Sequence, residues 1–116
     1  MISPLLLTDP VVFLVPGERV DRYGNTVQTF DVAREIPLRG WLQHRTTAEA
    51  TDDGDAFVDR LVLVVPRLPA TAVPVGLLRV RLADGTVWEV DGSPKAMRAA
   101  YRISHFELVL RGVTGG

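Results

Sequence analysis

The chain is a series of short apolar runs punctuated by proline and glycine. Residues 11–15, Val-Val-Phe-Leu-Val, predict a first strand that Pro16-Gly17 stops. Residues 21–25 read as a turn, because Gly24 and Asn25 tolerate positive φ. Residues 26–32 alternate with the period of a strand, setting Thr26, Gln28, Phe30 and Val32 on one face. Residues 37–47 predict another strand, with Trp41 its main apolar anchor. The segment that follows is small and polar and has lost all apolar period, so it predicts a long mobile loop near 46–57.

Residues 61–65, Leu-Val-Leu-Val-Val, are apolar on both faces, the mark of the most buried strand. Pro66 ends it, and Pro69 and Pro74 keep the next stretch extended and free of helix. Residues 77–91 form a hairpin around Asp84-Gly85, and the apolar pattern selects its register. A two-residue turn would set Val80 opposite Glu89 and Arg81 opposite Trp88. A three-residue loop of Ala83, Asp84 and Gly85 sets Val80 opposite Trp88, Leu78 opposite Val90 and Arg79 opposite Glu89. Only the second gives an apolar face and a face with a cross-strand ion pair, so it is the expected one, with Gly85 left-handed in a bulge.

Ser93-Pro94 reads as an N-cap followed by proline at the first helical position, predicting one short helix near 93–101. The last strand, 102–111, sets Ser104, Phe106, Leu108 and Leu110 on one face. Ile103, His105, Glu107 and Val109 take the other. Many short strands with closely spaced turns indicate an all-β chain, a small β-barrel of SH3 or OB size. It is expected as a single domain, 1–116, with an N-terminal arm at 1–10 and a flexible tail at 112–116.

Composition narrows the function classes. With 47% hydrophobic and 23% charged residues, the chain is neither disordered nor collagen-like. A net charge of −1 gives no general attraction to nucleic acid or anionic membrane. The absence of cysteine removes disulfides, thiolate zinc sites and cysteine nucleophiles, and suits a reducing interior. The apolar N-terminus has no basic leader and is broken by Pro4, Asp9 and Pro10, and no run approaches the ~20 apolar residues that span a bilayer. A soluble protein without membrane contact is expected.

Reactive constellations are thin. Ser93 or Ser104 with His44 or His105 and a carboxylate could compose a triad. There is no nucleophile elbow, however, and Ser104 and His105, as strand neighbours, are expected on opposite faces. Asp52-Asp53-Gly54-Asp55 lacks the alternating ligands and distal Glu of an EF-hand loop. No glycine-rich phosphate loop occurs. Trp41 and Trp88 could stack bases but are read as core, and Glu89 and Glu107 as surface partners of arginines. No enzyme activity, cofactor or metal site is expected.

The segment from Asp84-Gly85 through Trp88, Val90, Gly92 and Pro94, followed by a final strand with His105-Phe106-Glu107, is a more distinctive combination than its parts. It resembles the head-closure, or head-to-tail stopper, proteins of long-tailed bacteriophages, where a DG-x-x-(W/Y)-x-V-x-G-x-P block precedes a strand with H-x-E. Residues 20–25, the Gly40-Trp41 pair and residues 51–56 fit the same layout. The resemblance implies a structural virion protein, made in the host bacterial cytoplasm and placed in the neck. There it would form a homomeric ring of six or twelve copies between the portal-adaptor ring and the tail terminator or tail tube. That ring closes the channel after packaging, so genomic DNA is retained cargo. On this reading Glu49, Asp52, Asp53, Gly54 and Asp55 are the candidate plug loop, and an acidic lining would repel DNA phosphates. Ile2, Leu5, Leu6 and Leu7 of the apolar arm are the candidate inter-subunit contact. The alternative from another class is a small monomeric β-barrel that binds nucleic acid or a ligand, with a small hydrolase a more distant third.

Overall fold

The computed structural model describes the backbone of residues 7–51, 54–99 and 102–112 and, outside 44–59, 99 and 102, their side chains. Six strands make up most of it: β1 (Asp9–Val20), β2 (Thr26–Thr51), β3 (Gly54–Val65), β4 (Arg79–Leu82), β5 (Val87–Ala99) and β6 (Arg102–Gly112). They close into an antiparallel barrel in the order β1-β2-β3-β6-β5-β4. The ladder from Val11↔Leu82 to Leu14↔Arg79 joins the last strand back to the first.

Alternation along each strand fills the interior. Val11, Phe13 and Val15 on β1, Leu61, Leu63 and Val65 on β3, and Leu108 and Leu110 on β6 are buried together with Val80 and Val90. Each such side chain contributes about 1.5–3 kcal/mol relative to exposure. Residues 61–65 are all buried, as their two-sided apolar pattern required. Among the described residues no buried side-chain polar atom lacks a partner.

The β4–β5 hairpin has the three-residue loop. Leu82 N donates to Thr86 O, Gly85 N donates to Leu82 O, and Gly85 has φ +87°. Arg79 lies opposite Glu89 and Val80 opposite Trp88. Asp84 Oδ1 accepts hydrogen bonds from Thr86 N and Thr86 Oγ1, and Thr86 Oγ1 in turn accepts from Trp88 Nε1 at 2.9 Å.

Five expectations are corrected. Pro16-Gly17 does not stop the first strand: after a register shift between Val15 and Gly17, β1 pairs with β2 on to Val20. Residues 26–32 and 37–47 belong to one strand, β2, which passes through Pro37; among the described residues only β1 pairs with β2 at Pro37, the edge setting in which proline is tolerated. Residues 46–51 and 54–57 are strand, not loop, because β2 and β3 continue pairing to Thr51↔Gly54. Residues 93–99 of the expected helix are strand, and 100–101 lie outside the described residues: Gly92, at φ +79°, and the register shift between Asp91 and Lys95 carry β5 through Pro94 into pairing with β6 as far as Ala99↔Arg102. Ladder bonds to β6 override the local helix preference of Lys95, Ala96 and Met97. Trp41 is not core: inward positions on β2 are Leu38, Gly40 and Leu42, so Trp41 faces outward and is 37% exposed.

Gly40 explains how one strand changes neighbours within the barrel. β2 pairs with β1 up to Gly40 and with β3 from Trp41 onward. At this corner a Cβ on Gly40 would sit 2.7 Å from both Leu63 Cδ1 and Val64 O. Asp9 Oδ2 accepts the hydrogen bond of Leu42 N at 2.9 Å, just past the corner. Beyond the closed ladder, hairpins extend outward, and the radius of gyration is 16.1 Å. A compact chain of this length would have roughly 13 Å.

Candidate functional site

Among the described residues, the features with functional potential are extensions of the barrel and its outer faces. The longest extension is the end of the β2–β3 hairpin. β3 pairs with β6 only from Arg60 to Val65, so residues 54–59 have β2 as their sole neighbour among the described residues. Pairing runs from Thr46↔Asp59 to Thr51↔Gly54. At about 3.3 Å per residue this is an arm of nearly 20 Å. Its sequence from 46 to 59 holds Glu49, Asp52, Asp53, Asp55 and Asp59 and no basic residue. Of the expected plug residues, Glu49 lies on β2 opposite Ala56, and Gly54 and Asp55 begin β3. Asp52 and Asp53 lie outside the described residues.

A second extension is the β1–β2 ribbon, residues 17–32. β4 pairs with β1 no further than Leu14. The ribbon turns at Asp21, whose Oδ1 accepts from Tyr23 N and Asn25 N, each at 2.9 Å. Its side chains stand in solvent: Val20 is 64% exposed, Tyr23 74% and Val32 56%. Gly17 lies so close to β2 that a Cβ there would meet Val32 O at 2.5 Å. Sequence reasoning assigned this segment no role, although its exposed valines break the alternation expected of a core strand.

A shallow groove of about 620 Å³ opens where β1, β2 and the segment after β3 meet. Leu7, Pro10, Val12, Pro37 and Pro66 make its apolar lining, and Arg39 and Arg67 add two guanidinium groups. Leu7 is the one member of the expected inter-subunit arm within the described residues; Ile2, Leu5 and Leu6 lie outside them. The outer face also bears an apolar strip, since Trp41 lies opposite Val64 and Val109 opposite Val62.

Charge on the barrel exterior is paired across strands. Glu89 accepts from Arg111 at 2.8 Å and has Arg79 at 3.9 Å, and Arg81 meets Glu35 at 2.7 Å. The Arg81 guanidinium lowers the Glu35 carboxyl below its ordinary value, and the Glu89 hydrogen bond raises Arg111. Arg79 also lies over the Phe30 ring, 4.1 Å from its centroid.

One cluster corrects the sequence reading. Ser104 Oγ is 3.2 Å from His105 Nδ1, although strand neighbours were expected on opposite faces. The register shift that pairs Met97 with His105 but Arg98 with Ile103 leaves Ser104 as an extra residue on β6. His105 Nε2 and Glu107 Oε1 are 3.8 Å apart, too far for a hydrogen bond, and none of the three lines the groove at Leu7 and Arg67. Serine, imidazole and carboxylate are adjacent, away from that groove. Among the described residues no cluster of His, Asp and Glu could hold a metal ion, and no helix is long and apolar enough to cross a membrane.

No protein-family model and no curated protein matches the chain. The solution structure of protein SF1141 from Shigella flexneri 2a is similar over 99% of this chain and 100% of that one, with a TM-score of 0.66 and 12% sequence identity. At that identity the likeness shows a shared fold.

Proposed function

We propose that this chain is a subunit of a homomeric ring in the neck of a long-tailed phage, where it closes the DNA channel after packaging and docks the tail. The observation that carries the reading is the β2–β3 arm: a two-stranded extension with five acidic residues and no basic one between 46 and 59. Copies of such an arm, brought together by a ring, would form a closure without any reactive group, and their carboxylates would repel DNA phosphates and leave the exit path free of adhesion. The motifs at 84–94 and 105–107 support the same family reading. So does a barrel core that leaves its hairpins free for contacts.

The test is nuclease protection of DNA-filled, tailless heads of the cognate phage that lack their own copy of this protein. Added protein should keep the genome protected and allow tails to join. Equal leakage with and without it, and no binding at the portal vertex, would refute the reading. Replacing Asp52, Asp53 and Asp55 by asparagine should impair retention or release; unchanged behaviour would remove the electrostatic part.

A second reading rests on Trp41, outward-facing and two residues from Arg39, which lines the groove. Those groups suit a monomeric barrel that binds a single-stranded nucleic acid or an anionic ligand by stacking. Quenching of Trp41 fluorescence by oligonucleotides at physiological salt would favour it.

A further inference from the structure

We infer that the two open edges of the β1–β2 ribbon pair with one another between neighbouring copies of this chain. The inference rests on the ring reading and supplies its contact. Asp21 N donates to Asn25 O at 2.8 Å, so this pair closes the ribbon as a hydrogen-bonded one. Antiparallel strands alternate bonded and non-bonded pairs. With the register Val20↔Thr26, Arg19↔Val27 and Glu18↔Gln28, the backbone groups of Glu18 and Val20 therefore point away from β2. Those of Thr26 and Gln28 point away from β1. Among the described residues no further strand takes either set: β4 stops at Leu14, and β3 begins with Trp41.

Natural edges are blunted by charged side chains (lysine above all), proline, bulges or a covering element, and here the one register shift of the β1–β2 pair lies at the ribbon's base, between Val15 and Gly17. Between Pro16 and Pro37 this ribbon has neither lysine nor proline. Its exposed Val20, Tyr23 and Val27 add apolar surface to the free backbone. A two-stranded ribbon of this kind is marginal in water by itself.

The occupant is a second copy because the two edges complement each other. β1 and β2 run in opposite directions, so copies in one orientation bring β1 of one against β2 of the next as a further antiparallel pair. Such a contact is heterologous and closes into a ring when the rotation permits. The charges nearly cancel: Glu18, Asp21, Asp31 and Glu35 are set against Arg19, Arg22 and Arg34, a net of −1, so like ribbons meet with little net repulsion. A strongly basic or acidic partner would gain little from so balanced a surface.

Proline at an outward-facing N–H removes the edge donor and spares the ribbon's own ladder. Glu18→Pro blocks the β1 edge, and Gln28→Pro blocks the β2 edge. Wild-type protein, each variant, and an equimolar mixture of the two would be compared by sedimentation equilibrium and native mass spectrometry, with circular dichroism to show that each retains its strands. Wild type should self-associate, and each variant alone should associate at least about tenfold more weakly. The mixture should regain a one-to-one heterodimer, since each variant keeps the edge the other lost, a result that misfolded chains could not give. Wild type that stays monomeric, variants that assemble like wild type, or a mixture without heterodimer would each overturn the inference. Rings that persist in both variants would sink the edge pairing and leave the neck reading standing; unprotected heads beside intact self-association would do the reverse.

Discussion

Replacing Gly40 by alanine tests the corner on which the barrel turns. The added Cβ would stand 2.7 Å from Leu63 Cδ1, 2.7 Å from Val64 O and 3.2 Å from Val65 Cγ1. Carbon contacts are comfortable at about 3.5–4.0 Å, so the first two overlap severely. Leu63 is fully buried and has little room to rotate, and the Val64 carbonyl belongs to the backbone opposite Trp41 and cannot swing aside. Overpacking of a filled interior costs about 1–3 kcal/mol, and a backbone obstacle places this change at the upper end. For a chain of this length ~3 kcal/mol corresponds to a fall in melting temperature of roughly 12 °C. Thermal and urea unfolding followed by circular dichroism would measure it. Gly76→Ala is the control: its Cβ would have Gly92 O at 3.8 Å as nearest neighbour, an ordinary contact. Gly40→Ala melting within about 2 °C of wild type would refute the packing at the corner.

Three further outcomes are expected. Leu63→Ala, which empties a fully buried position, should cost about 2–5 kcal/mol in urea unfolding, whereas Leu77→Ala, half exposed, should cost far less. Asp9→Ala leaves Leu42 N without its carboxylate acceptor and should cost about 1–3 kcal/mol, largely restored by Asp9→Asn if the oxygen is what matters. Asp84 is held below its ordinary value of 3.8 by hydrogen bonds from the Thr86 hydroxyl and backbone N–H. A lowered folded-state value stabilises above the unfolded value and is lost as pH falls through the folded one. Wild type should therefore lose stability between pH 4 and 2 more steeply than Asp84→Asn, and equal slopes would show that the carboxylate does not order the turn.

The barrel's interior was legible because its signals are local. Strand alternation placed Leu108 and Leu110 in the core, and the demand for one apolar face selected the β4–β5 register with Val80 against Trp88. Where pairing between distant segments decides, the sequence misled. Lys95, Ala96 and Met97 favour a helix by themselves, yet each pairs with a residue of β6. The polar arm from 46 to 57 shows no apolar period because, among the described residues, no third strand pairs with it, so nothing in its residue pattern announced the ladder. Trp41 looked like an anchor, but the inward glycine at 40 fixes the parity and turns the indole outward. The open ribbon edges and the juxtaposed Ser104 and His105 depend on where β4 stops and on a one-residue bulge in β6, neither of which any residue type marks.

The most direct measurement is electron cryo-microscopy of DNA-filled heads to which this protein has been added, reconstructed about the portal axis. A closed ring of barrel-shaped subunits below the portal, with the β2–β3 arms directed toward the axis and the DNA stopped above them, is the predicted result. Heads without added density at the vertex, or protein bound elsewhere as single barrels, would contradict the proposed role.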